Sequence, residues 1–498
     1  MISVPVSIKF GTDGFRGIIG DNFTFDIVNR ISLSLAEFLE DGSPKTVAVG
    51  YDTRFLSKEF ALAAAEALVS KGINVILSDN FCPSPVLSYF VKNKECAAGI
   101  MLTASHNPFM FNGLKFKNAF GGSMLESDIR KIEKIANDAD FDKERTGKSY
   151  YVAPAALYQC ACPGGNNRFK YADFKKSYIE HLIGFTGLDK IVPNADENVL
   201  KSLDVVIDPM FGSGIGYLSS VLKKFSIKHG LINNTVNPSF PGLNPEPIDK
   251  NLVKLKSILR KRGFKNKFAV GFATDGDADR IGAVDFEGNF IDSHKIFSII
   301  LSYLIKEGYS GSVVKTVSVS KSIDYICKKH EIKLLETPIG FKNIAALMIK
   351  EKDGVFLGGE ESGGIGITSH LPERDGILNA LMLLKIMLAN RKNLNEILID
   401  IFNGHYPYSY KREDLHLEEG KKARLINSLK TGNFKIPLKK NLISSNLIDG
   451  FKFEYDDDSW LLVRPSGTEP VLRIYAESKD AEKTDLLINK AKEEMDNL

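Results

Sequence analysis

The fold of this chain is decided by the stretch Ala97-Ala98-Gly99-Ile100-Met101-Leu102-Thr103-Ala104-Ser105-His106-Asn107-Pro108. Its first half is an apolar run of strand length, and its second half is polar and ends at a proline. In α/β proteins, functional groups lie in the loops beyond the carboxyl ends of such strands. The hydroxyl of Ser105 is therefore expected at the mouth of a buried strand.

Strand-like and helix-like segments alternate on both sides of this stretch. Upstream, strands are predicted at residues 46–50 and 74–78, with a helix at residues 58–70 between them. A second round of alternation begins near Tyr171, and a third begins near Lys295. Alternation of this kind predicts α/β units with parallel or mixed sheets. Three of the predicted strands end in an acid, which suggests a repeated unit: Asp52, Asp208 and Asp275.

The last hundred residues have a different pattern. Three strand-like runs follow one another across short turns, and a charged helix at residues 481–495 ends the sequence. This order is typical of a smaller α+β domain with an antiparallel sheet.

Length and composition restrict the class of protein. A chain of 498 residues is too long for one core and predicts three or four domains. The net charge of +3 arises from mixed signs rather than a basic block, so nucleic acid is not an expected partner. Five scattered cysteines, no apolar run long enough to span a bilayer and no signal-like N-terminus predict a cytoplasmic protein without a membrane partner.

A cluster of acids follows the apolar run at residues 268–273. Three carboxylates stand there at alternate positions: Asp275, Asp277 and Asp279. Converging carboxylates repel one another unless a cation neutralises them, and oxygen-only ligands favour Mg²⁺. A calcium-binding helix-loop-helix is excluded, because it needs Gly where Arg280 stands and Glu where Phe286 stands. A Mg²⁺-dependent sugar phosphatase with Asp275 as nucleophile stays an open alternative.

Two further loops carry complementary chemistry. Arg464-Pro465-Ser466-Gly467-Thr468-Glu469-Pro470 places a guanidinium and two hydroxyls around a glycine, as a bound phosphate requires. Gly359-Glu360-Glu361-Ser362-Gly363-Gly364 has acids and a hydroxyl that can bond to vicinal sugar hydroxyls. Together with a serine that can carry a phosphoryl group and a cation site, these loops indicate phosphoryl transfer.

Competing functions have weaker support. No Gly-x-x-x-x-Gly-Lys-[Ser/Thr] nucleotide loop occurs, and the glycines at residues 212–216 are mis-spaced for a dinucleotide fingerprint. His106 beside Ser105 resembles a nucleophile and its base, but adjacent side chains commonly point apart. A serine hydrolase is therefore not predicted.

The chain resembles the α-D-phosphohexomutase superfamily, which comprises the phosphoglucomutases and phosphomannomutases. The resemblance rests on five motifs in the family's order: residues 10–17, 103–108, 275–280, 359–364 and 464–470. It implies three related α/β domains with mixed sheets and a smaller C-terminal α+β domain around a central cleft. The boundaries that we predict are 1–150 with the phosphoserine loop, 170–293 with the metal-binding loop, 294–402 with the sugar-binding loop and 403–498 with the phosphate-binding loop. Residues 148–168 are predicted to be a linker or surface insertion.

The same resemblance implies a role for individual residues. Ser105 would be the phosphoserine, and the Mg²⁺ ligands would be Ser105, Asp275, Asp277 and Asp279. The residues that would bind the sugar phosphate are Glu360, Ser362, Arg280, Arg464, Ser466, Gly467 and Thr468. Arg16 and Lys115 match positive positions near the phosphoserine. We expect Lys115 to be the general acid/base, because a cationic cleft could lower its pKa, and His106 is the second candidate.

The expected reaction interconverts the 1-phosphate and 6-phosphate of glucose or mannose. Its cofactor would be Mg²⁺, its activator a hexose 1,6-bisphosphate, and its partner a small sugar phosphate. One departure from the family matters: some relatives have His where this chain has Gly364, so no role of that His is carried over. The loop resembles the phosphoglucomutase and phosphomannomutase branch more than the phosphoglucosamine mutases. Phosphoglucosamine mutase and a non-catalytic sugar-phosphate-binding protein stay as further alternatives.

Overall fold

The computed structural model describes residues 7–11, 14–43, 45–138, 168–263, 266–350, 354–431, 433–465 and 471–496. Its strands are β1 Phe15–Ile18, β2 Thr46–Tyr51, β3 Asn74–Ser78, β4 Ala98–Leu102, β5 Phe111–Asn118, β6 Phe169–Ala172, β7 Asp204–Asp208, β8 His229–Leu231, β9 Ala269–Thr274, β10 Ile281–Val284, β11 Phe290–Ile291, β12 Ser312–Thr316, β13 Lys333–Thr337, β14 Val355–Gly359, β15 Ile365–Ile367, β16 Ser409–His416, β17 Leu442–Asn446, β18 Phe451–Tyr455, β19 Trp460–Pro465 and β20 Val471–Ser478.

Helices connect and flank these strands. The α-helices are Phe25–Phe38, Ser57–Ser70, Ser84–Asn93, Glu126–Ala136, Lys175–Thr186, Leu188–Ile191, Glu197–Ser202, Tyr217–Lys224, Val253–Gly263, Ser293–Lys306, Lys321–Lys329, Phe341–Lys350, Gly376–Asn390, Leu394–Phe402, Glu419–Thr431 and Ala481–Asp496. Among the described residues, none of these helices is long and apolar enough to cross a membrane.

The strands form four sheets. The first has the order β1-β5-β4-β2-β3-β6, the second β11-β10-β9-β7-β8, the third β13-β12-β14-β15 and the fourth β16-β20-β19-β18-β17. The first three are mixed, and every pairing in the fourth is antiparallel. The predicted fold class, three related α/β units and a smaller α+β unit, is confirmed.

The three mixed sheets repeat one local design. In each, a buried parallel strand leads through a short loop into an antiparallel neighbour: β4 into β5, β9 into β10 and β14 into β15. These three loops carry the serine, the acids and the sugar-loop motif that the sequence singles out. The repeat of the α/β unit therefore places the three predicted chemistries at corresponding positions of three sheets.

The first sheet is covered on both faces. Val47 and Val49 of β2 pack with one hydrophobic cluster, which includes residues of the helices Phe25–Phe38 and Ser57–Ser70. Ala48, between them, packs with a second cluster that extends into the next two units. Because successive side chains of a strand point to opposite faces, this alternation explains why β2 reads as a continuous apolar run.

One strand crosses a predicted boundary. β6 pairs in parallel with β3 and so belongs to the first sheet, although the boundary prediction assigns residues from 170 onward to the second unit. A four-residue strand with exposed Lys170 and Tyr171 gives too weak a pattern to assign to a sheet from sequence. Residues 148–167 of the predicted insertion lie outside the described residues.

The fourth unit packs tightly on the third. Trp460, Leu462 and Tyr475 form a buried cluster with Val317. The buried carboxylate of Glu477 accepts a hydrogen bond from the backbone N–H of Lys321 at 2.7 Å and another from Nε1 of Trp460 at 3.0 Å. This interface holds the fourth sheet beside the loops of the third unit.

Candidate active site

Ser105 lies in the loop between β4 and β5, which we call the serine loop (residues 103–108). Its side chain is fully buried, and its φ of 52° is in the left-handed region that non-glycine residues rarely adopt. Such a conformation costs on the order of 1 kcal/mol and persists only where surrounding contacts enforce it. Oγ of Ser105 donates a hydrogen bond to Oδ2 of Asp275 at 2.8 Å.

A buried arginine that sequence reasoning missed enforces this conformation. Nη2 of Arg54 donates to the backbone carbonyls of Ser105 at 2.7 Å and Asn107 at 2.6 Å. Nη1 donates to the carbonyls of Pro108 at 2.9 Å and Phe111 at 3.1 Å. Arg54 is 3% exposed, and its Nε lies 3.3 Å from the Asp52 carboxylate. One guanidinium therefore binds three carbonyls of the serine loop and one at the start of β5.

The acids occupy the loop between β9 and β10, which we call the metal loop (residues 275–280). A Cβ added to Gly276 would lie 2.2 Å from the carbonyl oxygen of Ser105. Glycine is required there because the backbones of the metal loop and the serine loop touch. This close approach brings Ser105 against acids that are 170 residues away in the sequence.

The carboxylates of Asp275, Asp277 and Asp279 converge. All three are fully buried, and one oxygen of each lies within 4.8 Å of the others. Burial, followed by the charges of Asp279 and Asp277, raises the pKa of Asp275 well above its usual range. Three buried acids of this kind are stabilised in their charged form only by nearby cations.

The cluster fits a magnesium ion. Mg²⁺ takes oxygen ligands at about 2.1 Å, so oxygens that share one ion lie about 3–4 Å apart. The spacing of the carboxylates is close to this range. Oδ1 of Asp279 is buried and has no hydrogen-bond partner among the described residues. Ser105, also predicted as a ligand, borders the cluster through Asp275.

Cations border the serine and metal loops. Lys115, 2% exposed, donates from Nζ to Asp277 at 2.8 Å and to Asp279 at 3.3 Å. Its nearest neighbours are thus carboxylates, not the cations expected from the sequence. Arg16 donates from Nη1 to Oδ1 of Asn107 at 2.5 Å. Nε of Arg280 lies 3.9 Å from Asp275 and 3.8 Å from Asp279.

His106 is closer to Ser105 than the sequence suggests. Its Nδ1 lies 3.5 Å from Oγ of Ser105, although adjacent side chains of an extended chain point apart. The left-handed backbone at Ser105 breaks that alternation. Burial, followed by the charges of Arg280 and Arg16, lowers the pKa of His106 well below its usual range, so its imidazole is neutral near pH 7.

The sugar-loop motif lies between β14 and β15, and we call it the sugar loop (residues 359–364). Oε2 of Glu360 accepts a hydrogen bond from Nη1 of Arg374 at 2.9 Å, and Oε1 accepts one from the backbone N–H of Gly340 at 3.1 Å. Burial raises the pKa of Glu360 to about 7, and Arg374 opposes that shift. Oγ of Ser362 is buried without a hydrogen-bond partner among the described residues. Glu361 instead accepts hydrogen bonds from Ser318 and Thr316 of its own unit.

Arg464 is the next-to-last residue of β19 in the fourth unit. Its Nε donates to Oδ1 of Asp449 at 2.9 Å, and Oδ2 of Asp449 accepts the backbone N–H of Ile339 from the third unit at 2.9 Å. Ser466, Gly467 and Thr468, which complete the predicted phosphate loop, lie outside the described residues.

A chain of contacts connects the predicted sites of all four units. Ser105 bonds to Asp275 of the metal loop, where Lys115 joins Asp277 to Asp279. Asp279 contacts Nη2 of Arg374 at 2.7 Å, and Arg374 bonds to Glu360. From there the path runs through the turn at residues 339–340 and Asp449 to Arg464. The arrangement can hold a phosphoryl group on Ser105, a cation beside it and a polyol between it and a distant anion site.

Sequence reasoning missed two arginines of this arrangement, Arg54 and Arg374. The sequence around each arginine gave a weak indication of a site residue. Arg54 stands two residues after Asp52, the aspartate that directly follows β2, and Arg374 lies just before Asp375, whose side chain caps the helix Gly376–Asn390. Arginines next to a strand end or a helix cap in an α/β unit are thus worth testing as site residues.

Comparison with known families gives four matches along the chain. The descriptions are phosphoglucomutase/phosphomannomutase alpha/beta/alpha domain I over residues 7–143, domain II over 176–288 and domain III over 292–404. The C-terminal domain of the same family matches residues 417–493. Together the four matches cover most of the sequence.

Relatives match over almost their full length. A probable phosphoglucosamine mutase of Methanosphaera stadtmanae is 33% identical over 488 residues, which are 97% of this chain and 96% of the relative. A phosphoglucomutase/phosphomannomutase of Thermococcus kodakarensis is 28% identical, with 95% of each chain covered. The crystal structure of a putative phosphomannomutase from Thermus thermophilus superposes with a TM-score of 0.79 at 30% identity, covering 98% of this chain and 99% of that one.

Proposed function

Since this chain belongs to the phosphoglucomutase/phosphomannomutase family, the α-D-phosphohexomutases, we propose that it uses Ser105 to interconvert the 1-phosphate and 6-phosphate of a hexose. It is thus an intramolecular phosphotransferase, and the residue roles are our assignment. The observation that supports them best is the 2.8 Å hydrogen bond from Ser105 to Asp275, which joins a candidate phosphoryl carrier to a cation site.

In the proposed first half-reaction, phosphorylated Ser105 gives its phosphoryl group to the free hydroxyl of a hexose phosphate. The bond between phosphorus and the seryl oxygen breaks, and a bond between phosphorus and the sugar oxygen forms. The product is a hexose 1,6-bisphosphate. This intermediate then reorients so that its other phosphate faces Ser105. That phosphate is transferred to Ser105 by the reverse chemistry, which restores the phosphoserine. Hexose 1,6-bisphosphate therefore also serves as the proposed activator of the unphosphorylated chain.

Two protons must move in each half-reaction. The sugar hydroxyl loses a proton as its oxygen attacks, and the seryl oxygen gains one as it leaves. We assign general acid/base catalysis to Lys115, whose ammonium lies beside the metal loop. His106 is the second candidate, because its neutral imidazole lies 3.5 Å from Oγ of Ser105 and could accept a proton.

Charge on the transferring group is balanced by this chain's cations. Arg16 lies beside the serine loop and Arg280 is the last residue of the metal loop, near where a phosphoryl group on Ser105 would lie. Asp275, Asp277 and Asp279 would hold Mg²⁺, which supplies further positive charge against the phosphoryl oxygens when bound.

The remaining groups position the substrate. Glu360 and Ser362 would bond to sugar hydroxyls, and Arg464 with Ser466, Gly467 and Thr468 would bind the phosphate that is not reacting. A site that recognises a phosphate, whichever carbon carries it, can accept the bisphosphate in both orientations. Positioning of this kind supplies much of the acceleration in phosphoryl transfer.

The hexose is assigned from the sugar loop. Its sequence Gly-Glu-Glu-Ser-Gly-Gly favours glucose and mannose phosphates. Glucosamine phosphate is a second candidate, because the Methanosphaera relative bears the name phosphoglucosamine mutase. Glucose and glucosamine differ at one substituent, a difference that a single polar contact can discriminate by about 1–3 kcal/mol.

A side-by-side assay tests which hexose phosphate the chain prefers. The purified chain is given glucose-, mannose- or glucosamine-1-phosphate with Mg²⁺ and a hexose 1,6-bisphosphate, and formation of the 6-phosphate is coupled to a detectable reaction. We expect kcat/KM for glucose or mannose to exceed that for glucosamine by at least about tenfold. Preference for glucosamine would support the second candidate, and steady release of inorganic phosphate would show a hydrolase instead.

The pH dependence of kcat/KM tests the proposed role of Glu360 in binding the sugar hydroxyls. The folded-state pKa of about 7 lies above the ordinary value of 4.5, so the carboxylate is protonated below pH 7 and loses its ability to accept two hydroxyl bonds. We expect kcat/KM to fall about tenfold per pH unit as the pH drops below 7, with kcat less affected. Glu360→Gln should lower kcat/KM at high pH and remove this inflection, leaving only the titration of the substrate phosphate. An unchanged profile in that variant would contradict the assignment.

A further inference from the structure

We propose that Arg374 is a positioning residue that fixes the metal loop and the sugar loop to each other, and that Gly364 is required because a side chain there would displace Arg374. The inference rests on the proposed roles of Asp279 as metal ligand and Glu360 as sugar acceptor. It adds Arg374 to the site residues and makes metal binding depend on the structure of the sugar loop. Neither statement follows from the two proposed roles alone.

Arg374 joins two carboxylates from different units. Nη2 lies 2.7 Å from Oδ2 of Asp279, and Nη1 donates to Oε2 of Glu360 at 2.9 Å. The side chain is 3% exposed. Because a guanidinium is planar and its N–H groups have a fixed geometry, these two contacts set the relative position of the two acids.

Contacts with Glu373 and Phe341 also hold Arg374 in place. The carboxylate of Glu373 accepts the backbone N–H of Arg374 at 3.0 Å. The same carboxylate accepts Nζ of Lys117 at 2.5 Å and Oγ of Ser123 at 3.0 Å, both from the first unit. The guanidinium also lies 5.6 Å from the ring centroid of Phe341. Arg374 is therefore a buried side chain held in one position rather than a mobile surface charge.

Gly364 marks the space that Arg374 fills. A Cβ added at residue 364 would lie 2.3 Å from Cδ of Arg374 and 3.2 Å from Oε2 of Glu360. The φ of Gly364 is not in the left-handed region, so alanine is compatible with the backbone and the conflict is with the arginine. Aliphatic carbons in contact lie about 3.5–4.0 Å apart, so the arginine must move by more than about 1 Å.

Two effects follow from moving or removing Arg374. Asp279 loses a cation that orients its carboxylate, and Glu360 loses the hydrogen-bond donor that fixes the Glu360 carboxylate. Partners that orient metal ligands typically change metal affinity about 10–100-fold when they are removed. A perturbation at residue 364, in the sugar loop, should therefore weaken metal binding in the metal loop.

Binding measurements on the full chain test this coupling without relying on turnover. Calorimetry gives the Kd for Mg²⁺ without sugar, and the Kd for glucose-6-phosphate in the presence of a chelator. We expect Arg374→Ala to weaken both affinities by about tenfold or more. Gly364→Ala should also weaken both, although residue 364 belongs to the sugar loop and not to the metal loop. In the Arg374→Ala background, Gly364→Ala should change the Mg²⁺ affinity no further, because the clash with Cδ of Arg374 is gone.

A matched control separates this role from general destabilisation. Arg30→Gln removes a buried hydrogen bond to the Ala136 carbonyl in the first unit and should lower Tm while leaving Arg374 on its two acids, so both affinities should stay within about twofold of the unmodified chain. The proposal is overturned if Gly364→Ala weakens sugar binding alone, or if the effects of Gly364→Ala and Arg374→Ala on Mg²⁺ affinity add in the double variant. Failure of the proposed function would appear separately, as absent turnover by the unmodified chain.

Discussion

Replacing Ser105 by alanine is expected to reduce mutase turnover by at least about 10⁴-fold, because the variant has no oxygen on which to carry the phosphoryl group. The fold should survive. Alanine and serine tolerate the left-handed φ of 52° about equally, and the substitution removes one hydroxyl, which bonds to Asp275 and lies beside His106.

Two measurements check this result. Coupled turnover with a hexose bisphosphate should be abolished, and intact mass spectrometry should find no added phosphate after incubation with that bisphosphate. Ser88→Ala is the matched control: Ser88 is also fully buried in the first unit, and its hydroxyl has no hydrogen-bond partner among the described residues. That variant should keep full activity. Wild-type turnover in Ser105→Ala, or phosphate on another residue, would refute the phosphoserine assignment.

Replacing Arg54 by lysine is expected to lower kcat by about 10²-fold, although the positive charge is retained. Lysine presents a single ammonium, which cannot donate to four carbonyls spread over residues 105–111. The serine loop would then relax from its left-handed conformation and displace Oγ of Ser105. A misplacement of about 1 Å is enough for a rate loss of this size.

The rate at which a hexose bisphosphate phosphorylates Ser105 measures the effect directly. It should fall in parallel with kcat, while KM changes by less than about threefold, because the interactions of Arg54 are with the serine loop rather than the sugar loop. Arg30→Lys is the control, since Arg30 is similarly buried in the first unit and its Nε donates to the Ala136 carbonyl, away from the serine loop. We expect that control to lower Tm without lowering kcat. Equal rate losses in both variants would show a general stability effect.

Several features of this protein could be predicted from residues close together in the sequence. The run before Ser105 forms β4, and the acids at alternate positions follow β9, because a buried strand and its polar loop are local patterns. Strand β3 begins and ends at the predicted residues, and β2 is one residue longer than predicted. Less apolar elements were missed. β16 is mostly polar and lies at the edge of the fourth sheet, so its sequence has no strand-like alternation of apolar residues.

The parts that could not be predicted depend on contacts between units. No local pattern shows that Gly276 lets the metal loop touch Ser105, that His106 turns toward Ser105, or that Arg54 binds three carbonyls of the serine loop. Arg374 is similar, because its role is visible only when Asp279 and Glu360 are both in place around it.

The sequence by itself determined which chemical groups this protein has and the order in which they occur: a serine, three acids, a sugar loop and an arginine-containing anion loop. These are properties of residue type and short spacing, which periodicity and motif reveal. Tertiary structure alone decided which of these groups meet, at what distance, and which buried arginines hold them. The reason is that such contacts join residues about 50 to 170 positions apart, and only the packing of separate sheets brings them together.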